Sequence, residues 1–215
     1  MRAHETKGKL GSVENLVWID CEMTGLDLTT DALIEVAVLV TDPDLTILGD
    51  GVDVIIAPPD EALAVMSEFV TQMHSSSGLL DALASGMTMA EAENAVLAYV
   101  QQFVPEAGKA PLAGNSVGTD RTFLARDMPT LEGYLHYRNV DVSSIKELAR
   151  RWYPRTFASA PAKYGNHRAL GDIQDSINEL RYYRQAIFVP QPGLSRDKAR
   201  HIAAAYERNN GPVIS

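Results

Sequence analysis

Two carboxylates stand two residues apart in the segment WIDCEMTGL at residues 18–26, which is predicted to end a buried strand. Because side chains along a strand alternate between its faces, Asp20 and Glu22 point to one face and Cys21 points to the other. Like charges at that distance repel and raise each other's pKa unless a positive group lies between them. A bound cation would meet this need, but it requires more ligands than these two.

Three residues farther along the chain are candidates to complete a cation site. Asp120 lies in the loop NSVGTD after a predicted strand, and Asp172 lies near the start of the last long predicted helix. His167 precedes Asp172 by five residues. An α-helix turns about 500° over that distance, so we predict the histidine in the loop before the helix and the aspartate on its first turn.

These residue types point to metal-assisted hydrolysis. Carboxylate oxygens suit Mg²⁺ or Mn²⁺, whereas one histidine and one isolated cysteine make a poor zinc site. Two such ions about 3.5–4 Å apart are the arrangement used for phosphodiester cleavage. A histidine, whose ordinary pKa is near 6.5, can accept the proton of the attacking water.

Each residue also has an ordinary structural explanation. A D-x-E pair at a strand end is commonly a pair of surface or capping carboxylates, and Asp120 is well placed to be the N-cap of a helix. His167 can be a capping or hydrogen-bonded residue, and the helix macrodipole favours Asp172 near an N-terminus whatever its function. Spacing alone does not bring these places together, so the site stays open on the residues alone.

The composition is that of an ordinary globular protein, with 215 residues, 46% hydrophobic and 22% charged. A single cysteine excludes an internal disulfide and is typical of a reducing compartment. The polar start MRAHETKGKLGS is not a signal peptide, and no apolar run approaches the ~20 residues of a membrane span. We therefore expect a cytoplasmic protein without a membrane partner.

The formal net charge of −9 argues against tight binding of long duplex nucleic acid, because neutralisation of phosphates by basic side chains supplies most of the affinity for a duplex. Basic residues are confined to short segments, each of which can be a solvated helix face: 150–155, 181–184 and 195–200. If phosphates are bound, we expect a short substrate held by a small site.

The predicted elements begin with a hairpin and continue with helices between the later strands, which favours one mixed-sheet α/β domain. Strand-like runs occupy 15–20, 33–42, 47–58, 111–116 and 138–142. Helical patterns occupy 60–84, 88–104, 120–128, 145–153 and 169–188. Two capping boxes, Thr88 with Glu91 and Ser144 with Glu147, are predicted to open the second and fourth helices.

Four segments together resemble the oligoribonuclease family of DEDD 3′-to-5′ exonucleases: WIDCEMTGL, GNSVGTDRTFL, HYRNVDVSSIKELARRWYP and HRALGDIQDSINELRYYR. The resemblance implies a ribonuclease-H-like fold, a mixed five-stranded sheet flanked by helices. The resemblance covers residues 15–188, the predicted exonuclease domain, while residues 1–14 are predicted to be a flexible leader and residues 189–215 a helical tail. The DEDD pattern with its histidine falls on the residues nominated above: Asp20, Glu22, Asp120, Asp172 and His167.

The activity that this resemblance implies is hydrolysis of very short RNAs, especially dinucleotides, to 5′-mononucleotides by a homodimer. Two divalent ions, Mg²⁺ or Mn²⁺, would be held by the four carboxylates. Leu26 resembles a wedge that packs against the bases. Four further positions resemble a cap that binds the 5′-phosphate and limits substrate length, with the tyrosine contributed by the partner subunit: His74, Ser116, Tyr137 and Ser143.

Ordinary alternatives for these contacts are a core leucine at 26, a helix N-cap at Ser143 and a surface histidine at 74. Two positions also depart from the family pattern. Phe69 stands where the family often has a tryptophan that stacks on a base, and a smaller ring gives less stacking area. Gly171 stands where an aspartate often precedes the liganding aspartate, and glycine loosens a helix start.

Two other functions compete with this interpretation. A general single-strand or proofreading-type exonuclease would lack the 5′ cap and act on longer strands. A noncatalytic RNA-binding module would be expected to have lost at least one ligand, and all five residues are present.

Overall fold

A computed structural model describes residues 14–162 and 168–209 of the chain. Five strands form a single mixed sheet in the order β3-β2-β1-β4-β5. The strands are β1 (Leu16–Met23), β2 (Leu33–Thr41), β3 (Ile47–Ile55), β4 (Pro111–Gly114) and β5 (His136–Asp141). The first three pair antiparallel, whereas β4 lies parallel to both β1 and β5. The predicted mixed α/β sheet is confirmed.

Helices cover both faces of the sheet. They are α1 (Asp60–Ala64), α2 (Glu68–Ser76), α3 (Leu79–Ala82), α4 (Met89–Phe103), α5 (Gly118–Asp127), α6 (Pro129–Tyr134), α7 (Val142–Trp152), α8 (Pro154–Ala158), α9 (Ala169–Ala186) and α10 (Arg196–Asn209). Among the described residues, no helix combines the length and the apolar character needed to cross a membrane.

Side-chain alternation along β1 divides the core into two parts. Val17, Ile19 and Cys21 pack with the buried face of α4, whereas Trp18 packs with the buried residues of α9. The side chains that share the face of Trp18 are Asp20 and Glu22. The alternation that buries Trp18 therefore also aims both carboxylates toward the side of the sheet that α9 covers.

Several predicted boundaries are wrong, for local reasons. The helix predicted over 60–84 is broken into α1, α2, α3 and a 3₁₀ turn, because Ser67 caps α2 and Gly78 adopts a left-handed φ of 77°. Helices α6 and α8, each with a proline in its first turn, were not predicted. The third strand ends at Ile55, ahead of the proline at 58.

Of the two predicted capping boxes, one is confirmed and one is wrong. Thr88 and Glu91 bond reciprocally at the start of α4. At α7, however, the N-cap is Asp141, whose side chain accepts from the Ser143 backbone N–H at 2.8 Å, so the helix begins before Ser144. The predicted helical tail contains α10, and residues 1–13 of the leader lie outside the described part of the chain.

Candidate active site

Three carboxylates converge at the end of β1. Asp20 and Glu22 extend from the strand, and Asp172 extends from the first turn of α9, as the sequence predicts. One oxygen from each of these carboxylates lies within 4.8 Å of the other two. All three side chains are half-buried, so they face a cleft that solvent reaches. Such a group of oxygen ligands fits a hard divalent cation.

Asp120 closes the same cleft from α5. Its side chain is 7% exposed, and its Oδ1 accepts a hydrogen bond from the Cys21 backbone N–H at 3.0 Å. The N-cap of α5 is Val117, so the alternative interpretation of Asp120 as an N-cap is wrong. Asp120 instead connects the first turn of α5 to β1 at Cys21, which lies between Asp20 and Glu22.

Burial and mutual repulsion raise the pKa of the clustered carboxyl groups. For Asp20 the pKa rises from an ordinary 3.8 to about 8, first through burial and then through the charges of Asp120, Glu22 and Asp172. For Glu22 it rises from 4.5 to about 8, through burial and then through the charge of Glu35. Burial and like charges thus disfavour ionised Asp20 and Glu22, and a divalent cation would supply the positive charge that favours their ionised forms.

The pKa of Asp120 rises less, to about 6. Burial raises this pKa, while hydrogen bonds from its own backbone N–H and that of Cys21 favour the charged form and lower it. Compared with Asp20 and Glu22, Asp120 is thus the carboxylate whose charged form is favoured by backbone donors. Asp20 and Glu22 are the ones that depend most on a bound ion to ionise.

These raised pKa values predict a pH-dependent effect of divalent ions on stability. The folded, metal-free protein gains stability from protonated Asp20 and Glu22 at low pH and loses it as pH rises from about 4 to about 8, because the unfolded chain ionises first. We expect Mg²⁺ to raise the melting temperature above that in EDTA by more at about pH 8 than at about pH 6. An equal increment at both pH values would contradict this account.

A pair of hydroxyl groups stands beside the carboxylates. The Oγ atoms of Ser116 and Ser143 are 3.0 Å apart. One oxygen of Asp141 accepts from the backbone N–H of Ser116 at 3.0 Å and from that of Ser143 at 2.8 Å. The interpretation of Ser143 as an N-cap is therefore wrong, because Asp141 holds that position. The two predicted cap serines are brought together.

Asn115 joins this hydroxyl pair to α9. Its Oδ1 accepts from the Ser143 hydroxyl at 2.9 Å, and its Nδ2 donates to the Ser176 hydroxyl at 2.7 Å. Ser176 in turn donates to the backbone carbonyl of Asp172 at 2.8 Å. Sequence reasoning missed Asn115 and Asp141. The signal for Asp141 was an aspartate just before a helix, whereas nothing local marks Asn115 as a link to a residue more than sixty positions away.

Leu26 is 73% exposed at the mouth of the cleft, so the core-leucine interpretation is wrong. Its loop is organised by Asp31, whose carboxylate accepts from the Thr24 hydroxyl at 3.0 Å and from the Asp27 backbone N–H at 2.8 Å. Gly25 leaves room for this carboxylate, because a Cβ there would lie 2.4 Å from an Asp31 oxygen. The loop thus presents an apolar side chain to the cleft on a braced turn.

The other predicted contact residues are not among the described residues that line the cleft: Phe69, His74 and Tyr137. Phe69 on α2 and Tyr137 on β5 are 77% and 73% exposed. His74 is fully buried, and its Nε2 donates to the backbone carbonyl of Met23 at 2.9 Å, so the surface-histidine interpretation is wrong. His74 therefore supports the end of β1. His167 lies outside the described residues, immediately before the first described residue of that segment, Arg168.

Most of the chain, residues 17–180, matches the exonuclease family RNase_T. The protein is therefore an exonuclease, and its acidic cleft fits that class. The structure resembles exonuclease I from Methylocaldum szegediense, with a TM-score of 0.60, 18% identity, and coverage of 81% of this chain and 41% of that one. It also resembles the Escherichia coli exonuclease I–ssDNA complex, with a TM-score of 0.62, 14% identity, and coverage of 81% and 41%. The chain thus spans about two fifths of those larger structures, and at this identity the likeness concerns the fold.

Sequence similarity is much higher to oligoribonucleases. The chain is 69% identical to the oligoribonuclease of Streptomyces griseus over 89% of this chain and 95% of the relative. It is 58% identical to that of Mycobacterium tuberculosis over 89% of each. The chain belongs to the oligoribonuclease family, and it is a hydrolytic exoribonuclease whose acidic site fits divalent metal ions.

Proposed function

We propose that the protein hydrolyses very short oligoribonucleotides, especially dinucleotides, from the 3′ end to 5′-mononucleotides. The observation that carries this proposal is that one cleft is lined both by the carboxylate cluster and by Ser116, which is bonded to Ser143. If a phosphodiester of the substrate lies at the carboxylates, the next phosphate of a short oligonucleotide lies near the two serine hydroxyl groups. A 5′-phosphate bound there limits the length of the substrate.

The carboxylates of Asp20, Glu22 and Asp172 would hold two ions, Mg²⁺ or Mn²⁺, with Asp120 as a direct or water-mediated ligand. Such ions, when bound, lower the pKa of water and stabilise charge on the leaving 3′-oxygen. His167 would accept the proton of the attacking water. The raised pKa values of Asp20 and Glu22 support this assignment, because these groups ionise readily only beside positive charge.

The residues around the carboxylates would orient the substrate. Leu26 packs against the bases, and Phe69, exposed on α2, offers a ring face for stacking. Ser116 would turn its hydroxyl hydrogen to the 5′-phosphate, and Ser143 would do so by exchanging its hydrogen bond to Asn115, while Asp141 holds the backbone N–H groups of both serines. His74 would support the substrate site indirectly, because its buried ring donates a hydrogen bond to the backbone carbonyl of Met23 at the end of β1. The net charge of −9 supports a short substrate in a small site over a long duplex.

A homodimer is proposed, and exposed apolar side chains on α7 and just after it support this proposal. On and after α7, Leu148, Trp152 and Tyr153 are 39%, 66% and 45% exposed. Exposed aromatic groups of this kind are typical of protein–protein interfaces. In the dimer, Tyr137 would reach the substrate of the partner subunit. The organisation would be a leader at 1–14, an exonuclease domain at 15–188 and a helical tail at 189–215, in the cytoplasm and without a membrane partner.

Trp152→Glu is predicted to separate the dimer, because a buried charge at an aromatic contact costs at least ~2 kcal/mol of association. Light scattering coupled to size-exclusion chromatography is expected to show a monomer, and dinucleotide turnover is expected to fall about tenfold or more. The matched control is Tyr206→Glu on α10, which changes an aromatic side chain of similar exposure, 67%, in the tail. A Trp152→Glu protein with the same mass as wild type would argue against this interface.

The proposed function is tested by a cleavage time course with Mg²⁺ or Mn²⁺. The substrates are 5′-phosphorylated RNAs of two to about seven nucleotides and a matched short DNA, with EDTA as the control. We expect metal-dependent cleavage that is fastest for the dinucleotide and falls with length. Equal or faster cleavage of the longer strands would instead make the protein a general single-strand exonuclease. No cleavage under any condition would favour a noncatalytic RNA-binding module.

A further inference from the structure

Glu35 on β2 is an additional carboxylate beside the acidic cluster. Its position is directly opposite Glu22 in the antiparallel pair β1–β2, so the two side chains share a face of the sheet. The Glu35 side chain has no exposed surface. Its charge is the largest electrostatic cause of the raised pKa of Glu22. On charge alone, Glu35 is thus unfavourable in the metal-free site.

The partners of Glu35 belong to the start of α9. One carboxylate oxygen accepts from the guanidinium Nε of Arg168 at 2.7 Å. The other oxygen accepts from the backbone N–H of Ala169 at 3.2 Å. Arg168 is the N-cap residue of α9, and its own side chain makes no capping bond. Glu35 therefore caps this helix from another element, where a negative charge also interacts favourably with the helix macrodipole.

Asp53 on β3 completes the contact. The Nη2 atom of Arg168 lies 3.6 Å from an Asp53 carboxylate oxygen, so this one arginine bridges the neighbouring strands β2 and β3. Arg168 is 29% exposed and Asp53 is 28% exposed, while Glu35 lies beneath them. The first turn of α9 is thereby attached to the sheet at two points, close to where that turn presents Asp172.

We propose that Glu35 and Arg168 form a positioning pair, which fixes the first turn of α9 so that Asp172 meets Asp20 and Glu22 in the geometry that a divalent ion requires. This inference rests on the proposed metal site. Gly171 lies within the attached turn, where its backbone N–H donates to the Arg168 carbonyl at 3.0 Å. Because glycine restrains the backbone weakly, this turn depends on an outside attachment more than an ordinary helix start does.

A purely structural or electrostatic role predicts a different result from a positioning role. Replacing Arg168 by an uncharged residue removes a positive charge from the vicinity of Glu22, so in a titration at a pH where the carboxylates are ionised, Coulomb attraction alone would strengthen the binding of a divalent cation. A positioning role predicts the opposite sign, because Asp172 would no longer be held against its neighbours. The sign of the change in metal affinity therefore separates the two roles.

The experiment is calorimetric titration of Mn²⁺ into the metal-free, full-length protein. Arg168→Gln is expected to weaken Mn²⁺ affinity about tenfold or more, while Arg168→Lys, which keeps the charge but lacks the planar guanidinium that spans the two carboxylates, weakens it less. The control is Arg184→Gln, on the same helix, whose arginine is 35% exposed and is bonded to Asp44 at 2.6 Å. This control makes the same charge change and is expected to leave Mn²⁺ affinity unchanged.

Unchanged or tighter Mn²⁺ binding by Arg168→Gln would overturn the positioning role. If that variant does not fold without metal, Arg168→Lys decides, and an affinity equal to wild type overturns the proposal. Asp172→Asn separates this inference from the proposed function. A wild-type protein that binds no Mn²⁺, or Asp172→Asn binding as wild type does, overturns the metal site itself.

Discussion

Asp20→Asn is expected to abolish hydrolysis while making the metal-free protein more stable. Asp20 contributes a carboxylate oxygen to the cluster that is proposed to bind metal, and loss of metal-stabilised charge in the transition state corresponds to at least ~10³-fold in kcat. The same change removes a half-buried carboxyl group that is repelled by Asp120, Glu22 and Asp172. Relief of that repulsion is worth on the order of 1 kcal/mol, or about 2–4 °C in melting temperature for a chain of this size.

The measurements are single-turnover cleavage with saturating Mg²⁺ and thermal unfolding in EDTA at about pH 8, where the repulsion is largest. Asp50→Asn is the matched control, because Asp50 is exposed on β3 of the same sheet. It is expected to change neither activity nor melting temperature. An Asp20→Asn protein that keeps its activity would remove Asp20 from the metal site, and one that is less stable in EDTA would contradict the repulsion.

Asp120→Ala is expected to abolish hydrolysis as well, but with the opposite effect on stability. The Cys21 backbone N–H, buried in the strand, donates to the Asp120 carboxylate at 3.0 Å. Truncation leaves that N–H without its acceptor, which costs about 1–3 kcal/mol. The loss is partly offset because a repelled, buried carboxyl group is also removed. The folded state is expected to survive with a lower melting temperature.

Asp120→Asn separates the two contributions of this side chain. An asparagine carbonyl can still accept from Cys21, so stability is expected to return toward wild type while activity stays at the level of Asp120→Ala. Circular dichroism establishes that both variants are folded, and the cleavage assay with Mg²⁺ measures the chemistry. Undiminished turnover in Asp120→Ala would refute the two-metal assignment, and equal melting temperatures for the two variants would refute the role of the hydrogen bond.

The opposite stability effects follow from how each carboxylate is held. Asp120 has backbone donors that favour its charged form, and its pKa rises only to about 6. Asp20 is dominated by burial and by like charges, and its pKa rises to about 8. Asp120 is therefore anchored by protein donors, whereas ionisation of Asp20 depends more strongly on a bound cation.

Local rules were sufficient for the parts of this protein that depend on short-range periodicity. Strand alternation placed Asp20 and Glu22 on one face, and the structure confirms that this is the face of Trp18 beneath α9. The capping box predicted at Thr88 is confirmed, because both of its hydrogen bonds join residues within one four-residue segment. The placement of Asp172 on the first turn of α9 followed from helix geometry in the same way.

Long-range contacts decided the rest. Spacing could not show that Asp172 would meet a strand some 150 residues earlier, and it was the resemblance of four motifs that joined them. The start of α7 was misplaced because Asp141 competes with Ser144 as a cap, and Asp141 is held by its bond to Ser116 across the sheet. His74 was expected at the surface or at the substrate, yet packing buries it behind Met23.

The sequence by itself determined which residue types were available for metal-dependent phosphodiester chemistry and which of them share a strand face. Only the tertiary structure decided how they are supported: Asp120 through Cys21, the serine pair through Asn115 and Asp141, and α9 through Glu35 and Arg168. The physical reason is that periodicity is a property of neighbours along the chain. A hydrogen bond between distant residues depends on how the whole sheet and its helices pack, which no local pattern encodes.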